Sequence, residues 1–288
     1  MNILSLFNGI SGLHLACDRA GINVDVCYYS EIDKYANKVT EHHYPNDIAL
    51  GDVTKWREWD IDWASIDLVG AGFPCQAWSI AGQQLGDKDE RGMLFWTTLE
   101  IIKHVLYFNP KAKFLMENVK MKKEFEQYIT HHTEQALGHV EKILINSALV
   151  SAQNRQRYYW TNFKVNQPVD KGINATTILE PGFYCDREKT YCLDANYGKG
   201  SNFRRYFFMG SRQIVFKSGF KIPNMTKETA NNKMHECRGL YRFLLPIECE
   251  RLQTLPENWT SMLSNTQRYK SAGNGWTIDV IAHILKHI

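Results

Sequence analysis

A thiol and a carboxyl stand at the ends of two apolar runs in this chain. Ile66-Asp67-Leu68-Val69-Gly70-Ala71-Gly72 leads into Phe73-Pro74-Cys75-Gln76, and Lys113-Phe114-Leu115-Met116 leads into Glu117-Asn118-Val119. Buried strands of an open α/β sheet carry their chemistry at their carboxyl ends. Cys75 therefore reads as a nucleophile, active as its thiolate, with Glu117 as a carboxyl at the same sheet edge. Alone, each half is weak. Cysteine is among the most buried residue types, and Glu117 reads equally well as a solvated strand-end carboxylate.

The elements that must position this pair alternate in the manner of a parallel sheet. Short apolar strands are expected over Ile3–Phe7, Val24–Ser30, Ile66–Ala71, Lys113–Met116, Val140–Ala148 and Tyr158–Phe163. Amphipathic helices are expected over Gly12–Ala20, Lys34–His43, Leu94–Leu106 and Lys122–Ala136. The alternation predicts a Rossmann-like, doubly wound, mostly parallel α/β sheet. From about Lys164 to Cys237 the periodicity breaks into a stretch rich in Gly, Asn, Lys, Arg and aromatics, the pattern of an inserted lobe of turns and short strands. Helical periodicity returns at Leu245–Leu252 and again at Trp276–His287. The expected division is residues 1–164 as a catalytic and cofactor-binding domain, 165–240 as an inserted lobe, and 241–288 as a segment returning to the first domain.

The 288 residues suffice for a large core, and 44% hydrophobic with 23% charged residues are globular values. A net charge of +3 is too small to argue for nucleic acid by itself. Seven cysteines, an odd number without tight paired spacing, indicate neither a disulfide framework nor a metal centre; most should be reduced and buried. No apolar run approaches membrane-spanning length and the N-terminus lacks a signal-peptide pattern, so a soluble intracellular protein is expected.

After the first strand, Phe7-Asn8-Gly9-Ile10-Ser11-Gly12 turns into a helix whose N-terminal N–H groups are free to bind an anionic ligand. Its glycine spacing falls short of the dinucleotide fingerprint, which disfavours nicotinamide or flavin; a carboxylate-bearing nucleoside fits the turn. The second strand ends in Ser30-Glu31-Ile32-Asp33, where an acid accepts from ribose hydroxyls, and the third in Gly51-Asp52-Val53, suited to an adenine amino group. Asp33 as a helix N-cap and Gly51-Asp52 as a plain turn are the alternative readings.

Taken in order, these segments resemble the cytosine-5 DNA methyltransferases, over nearly the whole chain. Phe7–Gly12 resembles the family's first motif, Gly72–Gln76 its catalytic loop and Glu117-Asn118-Val119 its acid motif. Gln153-Asn154-Arg155-Gln156-Arg157 matches Gln-x-Arg-x-Arg, and Arg251-Leu252-Gln253 and Gly273-Asn274-Gly275 match the last motifs. The resemblance implies a class I methyltransferase fold with a smaller DNA-recognition lobe. It also implies methyl transfer from S-adenosylmethionine to carbon 5 of a flipped-out cytosine in duplex DNA, without a metal. Cys75 would add to carbon 6 and Glu117 would share a proton with ring nitrogen 3. Arg157 would hold the base carbonyl, with Arg155 shaping the same wall. Phe7, Gly9, Ser11, Gly12, Glu31, Ile32, Asp52, Val53, Pro74, Asn274 and Trp276 would surround the cofactor. Ser5, Ser11 and Gly275-Trp276 depart from the common pattern, and Trp276 is the bulkiest departure.

Gln76 to Arg91 follows the nucleophile with glycines and a charged run, which suits a mobile lid, and Gln76, Ser79 and Arg91 are candidate DNA contacts. In the insert, Tyr197–Tyr206 interleaves basic, amide and aromatic residues, so Lys199, Asn202, Arg204 and Arg205 are expected at phosphates or base edges of an extended segment. The resemblance further implies a monomer of bacterial or phage origin in the host cytoplasm (nuclear in a eukaryote), with a restriction endonuclease as partner. An RNA cytosine methyltransferase and a non-catalytic DNA-binding relative are the competing readings, with a Rossmann oxidoreductase behind them. Replacing Cys75 by Ser is expected to abolish methyl transfer while S-adenosylmethionine still binds, because a hydroxyl is far the poorer nucleophile near neutral pH. Calorimetry of cofactor binding beside a tritium-transfer assay checks both halves.

Overall fold

The computed structural model describes residues 1–74 and 92–288. The readings placed on Cys75, Gln76, Ser79 and Arg91, and the lid they belong to, lie outside the described residues. The chain divides into two compact units. The first comprises residues 1–145, 156–167 and 280–288, and the second residues 146–155 and 168–279.

The first unit is built on β1 (Asn2–Leu6), α1 (Gly12–Ala20), β2 (Val26–Ser30), α2 (Lys34–His43), β3 (Ile48–Gly51), β4 (Leu68–Ala71), α3 (Met93–Phe108), β5 (Lys113–Val119), α4 (Lys123–Leu137), β6 (Glu141–Asn146) and β7 (Gln156–Thr161). Its strands form one sheet in the order β3-β2-β1-β4-β5-β7-β6, parallel from β3 through β5, with β7 antiparallel to β5. This is the expected doubly wound, mostly parallel sheet. β4 is buried on both faces, as a strand covered by helices on each side must be. Phe95, Thr98, Leu99, Ile102 and Val105 make the buried stripe of α3 at helical spacing. Gly70 sits mid-strand because α1 leaves no room for more: a Cβ there would lie 2.7 Å from Leu13 Cδ2.

One row of paired residues crosses six strands: Gly51, Ser30, Leu6, Ala71, Met116 and Trp160. The chain runs outward from β1 to β2 and β3 on one side, then returns to β4 and β5 on the other. The strand order therefore reverses between β1 and β4, and ligands of such sheets bind beyond the carboxyl ends there.

The second unit holds β8 (Phe183–Tyr184), α5 (Phe203–Met209), β9 (Ile214–Lys217), α6 (Ala230–Glu236), β10 (Tyr241–Phe243), α7 (Pro246–Leu252) and α8 (Asn265–Asn274); α9 (Ile278–Leu285) follows. A three-stranded sheet runs β10-β9-β8, antiparallel throughout. Two sequence expectations are corrected here. Of the segment 241–288, only 280–288 joins the first unit. The reason is apolar: Cys249 and Leu252 of α7 and Ala272 of α8 share a core with Ile178, Leu193, Tyr197 and Val215. The Arg204-Arg205 segment is helical rather than extended. Asn202 caps it by accepting from Arg205 N–H at 2.8 Å, and Phe203, Tyr206 and Phe207 recur at helical spacing against Phe216.

Gly70→Ala is expected to destabilise the fold by about 1–3 kcal/mol through overpacking. Leu13→Ala made in the same chain should be less damaging than Leu13→Ala in the parent, because the added methyl occupies the space vacated. A urea double-mutant cycle measures that coupling.

Candidate active site

The residues one step beyond the six-strand row are Asp52, Glu31, Phe7, Gly72 and Glu117. Residues far apart in sequence are thus set side by side by backbone pairing alone. Beyond Ala71 of β4 the chain continues through Gly72, Phe73 and Pro74, the last described residues before Cys75.

Glu117 is 9% exposed. In the antiparallel pairing Val119 faces Arg157, and Glu117, two residues along β5, shares the face of Arg157. The guanidinium Nε lies 3.0 Å from Glu117 Oε1, with both side chains largely buried. Arg157 also donates from Nη1 to the Gln156 carbonyl. A charge-assisted bond of this kind fixes the carboxyl in one orientation. Asn118 Nδ2 donates to the Phe73 carbonyl at 3.1 Å, anchoring the chain just ahead of Pro74, while the Phe73 ring packs on Phe95.

The turn after β1 is wound unusually, with Phe7 at φ 55° and Ser11 at φ 64°. Left-handed backbone costs a non-glycine residue on the order of 1 kcal/mol, so the surroundings must hold it. They do: Gly9 N–H donates to Glu31 Oε2 at 2.8 Å, Asn8 N–H to the Ser30 carbonyl, and Asn8 Nδ2 and Ser11 Oγ both to Thr40 Oγ1 of α2. Glu31 Oε1 accepts from Ile32 and Asp33 N–H. Beside this acid the Ile32 side chain is 77% exposed, an apolar surface next to a hydrogen-bond acceptor. Asp33 caps α2 through Tyr35 N–H, and Asp52 caps the turn at Val53–Glu58 through Thr54 N–H. The N-cap reading thus describes the Asp33 contact, whereas Asp52, read as part of a plain turn, caps the short helix that follows it. Val53 is buried, and Gly9 and Pro74 are half-buried. Acid, exposed aliphatic and strained turn together suit an adenosyl group: a ribose diol on the carboxylate and a purine face on Ile32 and Phe7.

In the second unit, Arg155 is 4% exposed and its guanidinium donates to the carbonyls of Leu193, Gly273 and Gly275. It also donates from Nη1 to Cys192 Sγ, so the guanidinium clamps backbone and side chain of its own unit. Gln253 Nε2 donates to the Ala272 and Gly275 carbonyls, and Gln153 Nε2 to the Leu252 carbonyl and to Gln253 Oε1. Three motifs far apart in sequence therefore form one polar network around the Gly-Asn-Gly loop. Gly273 is confined there: a Cβ would come within 2.3 Å of the Asp194 carbonyl carbon. Asn274 is exposed and Trp276 half-buried in this unit. Lys199, Arg204 and Arg205 are exposed, while the Asn202 side chain serves as the α5 cap.

Asn8, Thr40, Asn118, Gln153 and Gln253 were given no individual role from sequence. Thr40 carried a faint signal, as the polar member of the buried α2 stripe Ala36, Val39 and Thr40.

The family described as C-5 cytosine-specific DNA methylase matches residues 1–189 and 186–288. Type II methyltransferase M.NlaX of Neisseria lactamica is 29% identical over 99% of this chain and 95% of its own length. Type II methyltransferase M1.ScrFI of Lactococcus lactis subsp. cremoris is 30% identical over 97% of this chain and 75% of its own. The solved Entamoeba histolytica methyltransferase EhMeth aligns with a TM-score of 0.74 at 17% identity, covering 100% of this chain and 97% of that one, a likeness of fold.

The two arginines are expected to differ. Arg155→Lys removes bonds from a charged donor worth about 1.5–3 kcal/mol each and should destabilise the protein by about 2–4 kcal/mol. Arg157→Lys keeps a cation beside Glu117 and should cost less than Arg155→Lys, about 1–2 kcal/mol. Denaturant titrations of the two variants read the difference directly.

Proposed function

Because the chain belongs to the C-5 cytosine-specific DNA methylase family, we propose that its DNA (cytosine-5) methyl transfer runs through Cys75, Glu117 and Arg157. The observation that carries this is the largely buried Glu117–Arg157 pair on β5 and β7, beside β4, whose chain continues toward Phe73 and Pro74. Cytosine is not nucleophilic at carbon 5 until a group adds at carbon 6. The Cys75 thiolate forms that bond, and the ring electrons shift toward nitrogen 3, where Glu117 shares a proton. Arg157 orients Glu117 and places its positive charge beside the charge developing on the ring carbonyl. S-adenosylmethionine, when bound, supplies the methyl group. Loss of the carbon-5 proton then breaks the Sγ–C6 bond and returns the thiolate.

Phe7, Glu31, Ile32, Asp52 and Val53 would hold the adenosyl moiety, with the Gly9–Gly12 turn, Pro74, Asn274 and Trp276 toward the methionine portion. Glu31 has two tasks, since it also pins the turn through Gly9. The second unit would read the target. Arg204 and Arg205 are neighbours on exposed helix, about 100° apart in azimuth, and with Lys199 they present cation to phosphates and base edges. Gln76, Ser79 and Arg91 would meet the strand around the extruded base. Relatives named Type II methyltransferases support reading this chain as the modification partner of a restriction endonuclease.

Cytosine-conversion sequencing of DNA and RNA from a modification-free host expressing the chain should show methylation confined to one short DNA sequence. Duplex DNA carrying 5-fluorocytosine there should trap an adduct on Cys75, because fluorine blocks the final elimination. Modified transfer RNA with unmodified DNA would reassign the substrate, and turnover of normal DNA without a trapped adduct would overturn the covalent route.

A further inference from the structure

Away from the catalytic edge, three side chains of the first unit converge whose chemistry the methyl transfer does not use. They are His14 on α1, Cys27 on β2 and Asp47 in the turn before β3. One ligand atom from each, imidazole nitrogen, thiol sulfur and carboxylate oxygen, lies within 4.8 Å of the other two. His14 Nδ1 is 3.0 Å from Asp47 Oδ2. Cys27 is buried, and the Asp47 and His14 side chains are 5% and 13% exposed.

The imidazole is held in place by its neighbours. The Tyr44 ring stacks on it at 3.8 Å, and the Tyr44 hydroxyl is fixed in turn by donating to Asp18 Oδ2 at 2.6 Å. Outer contacts of this kind orient the ligands of metal centres. The donor set of one nitrogen, one sulfur and one oxygen suits a borderline cation; magnesium and calcium prefer all-oxygen surroundings. Charge is also consistent. A divalent ion with one thiolate and one carboxylate sums to zero, which a buried site requires.

We propose that His14 Nδ1, Cys27 Sγ and the Asp47 carboxylate bind a zinc ion, leaving one position for water. Zinc binding releases the Cys27 thiol proton to solvent and forms the Zn–S bond in its place, while His14 binds through Nδ1 as a neutral imidazole with its proton on Nε2. The three ligands come from α1, β2 and the approach to β3. These are the elements that carry the Gly9–Gly12 turn, Glu31 and Asp52, so the ion would tie together the parts of the fold that grip the cofactor.

The full chain, stripped with chelator, is titrated with zinc and separately with cobalt. One equivalent of zinc should bind and raise the melting temperature, and cobalt should give a thiolate-to-cobalt absorption in the near ultraviolet. Cys27→Ser should remove that absorption, His14→Gln should weaken zinc by at least about tenfold, and Cys192→Ser, at an exposed thiol elsewhere, should change neither. Circular dichroism checks that each variant is folded. The more exposed His14→Gln carries the test if Cys27→Ser is not. Absence of stoichiometric zinc overturns the proposal, as does an absorption that survives Cys27→Ser or an affinity unchanged in His14→Gln.

Discussion

Backbone pairing across β3, β2, β1, β4, β5 and β7 is the constraint on which the first unit depends. Hydrogen bonds between strands put Gly51, Ser30, Leu6, Ala71, Met116 and Trp160 in one row. Phe7, Glu31, Asp52 and Glu117 each come one step after a residue of that row. The period of a strand is two, so a slip of a single residue at β5 would turn Glu117 to the opposite face, away from Arg157. Alignment at β3 involves an irregularity between Tyr29 and Ser30, which pair with Ala49 and Gly51 and skip Leu50. That extra residue sets where the chain leaves the sheet toward Asp52.

The turn after β1 shows strain held in place by hydrogen bonding. Phe7 and Ser11 adopt left-handed backbone, and Thr40, Ser30 and Glu31 supply the contacts that keep them there. Ser11 stands where the family commonly has glycine, and its hydroxyl bond to Thr40 offsets part of the backbone cost that a glycine would avoid. A cofactor binding here meets a turn already shaped, so little ordering entropy remains to be lost.

Arg155 and Arg157 are two residues apart and have separate work. Arg157 lies within β7, paired to β5, and faces Glu117. Arg155 precedes the strand and belongs to the second unit, where its guanidinium and the two glutamines, Gln153 and Gln253, satisfy the carbonyls around Gly273 and Gly275. The last motifs of the chain therefore occur together for a structural reason: each supplies donors or acceptors that the others leave open, and a half-satisfied buried network is costly.

By itself the sequence determined the alternation of strands and helices in the first unit, because hydrophobic periods of two and 3.6 are local properties. It also placed Glu31 and Asp52 just past the ends of two strands, since an apolar run ending in a polar residue marks the sheet edge; Glu117, expected just past a strand ending at Met116, lies instead within β5, which continues to Val119 through its pairing with β7. It identified the family, whose motifs are short and ordered. Only the tertiary structure decided that Arg155 clamps backbone and that Asn202 caps a helix. The same holds for the sorting of residues 241–279 into the second unit. Those outcomes depend on partners distant in the chain: carbonyls at Leu193 and Gly275 for Arg155, and the apolar faces of Tyr197 and Val215 for α7 and α8. A side chain's donors are visible in sequence, but which acceptors reach them is settled by packing.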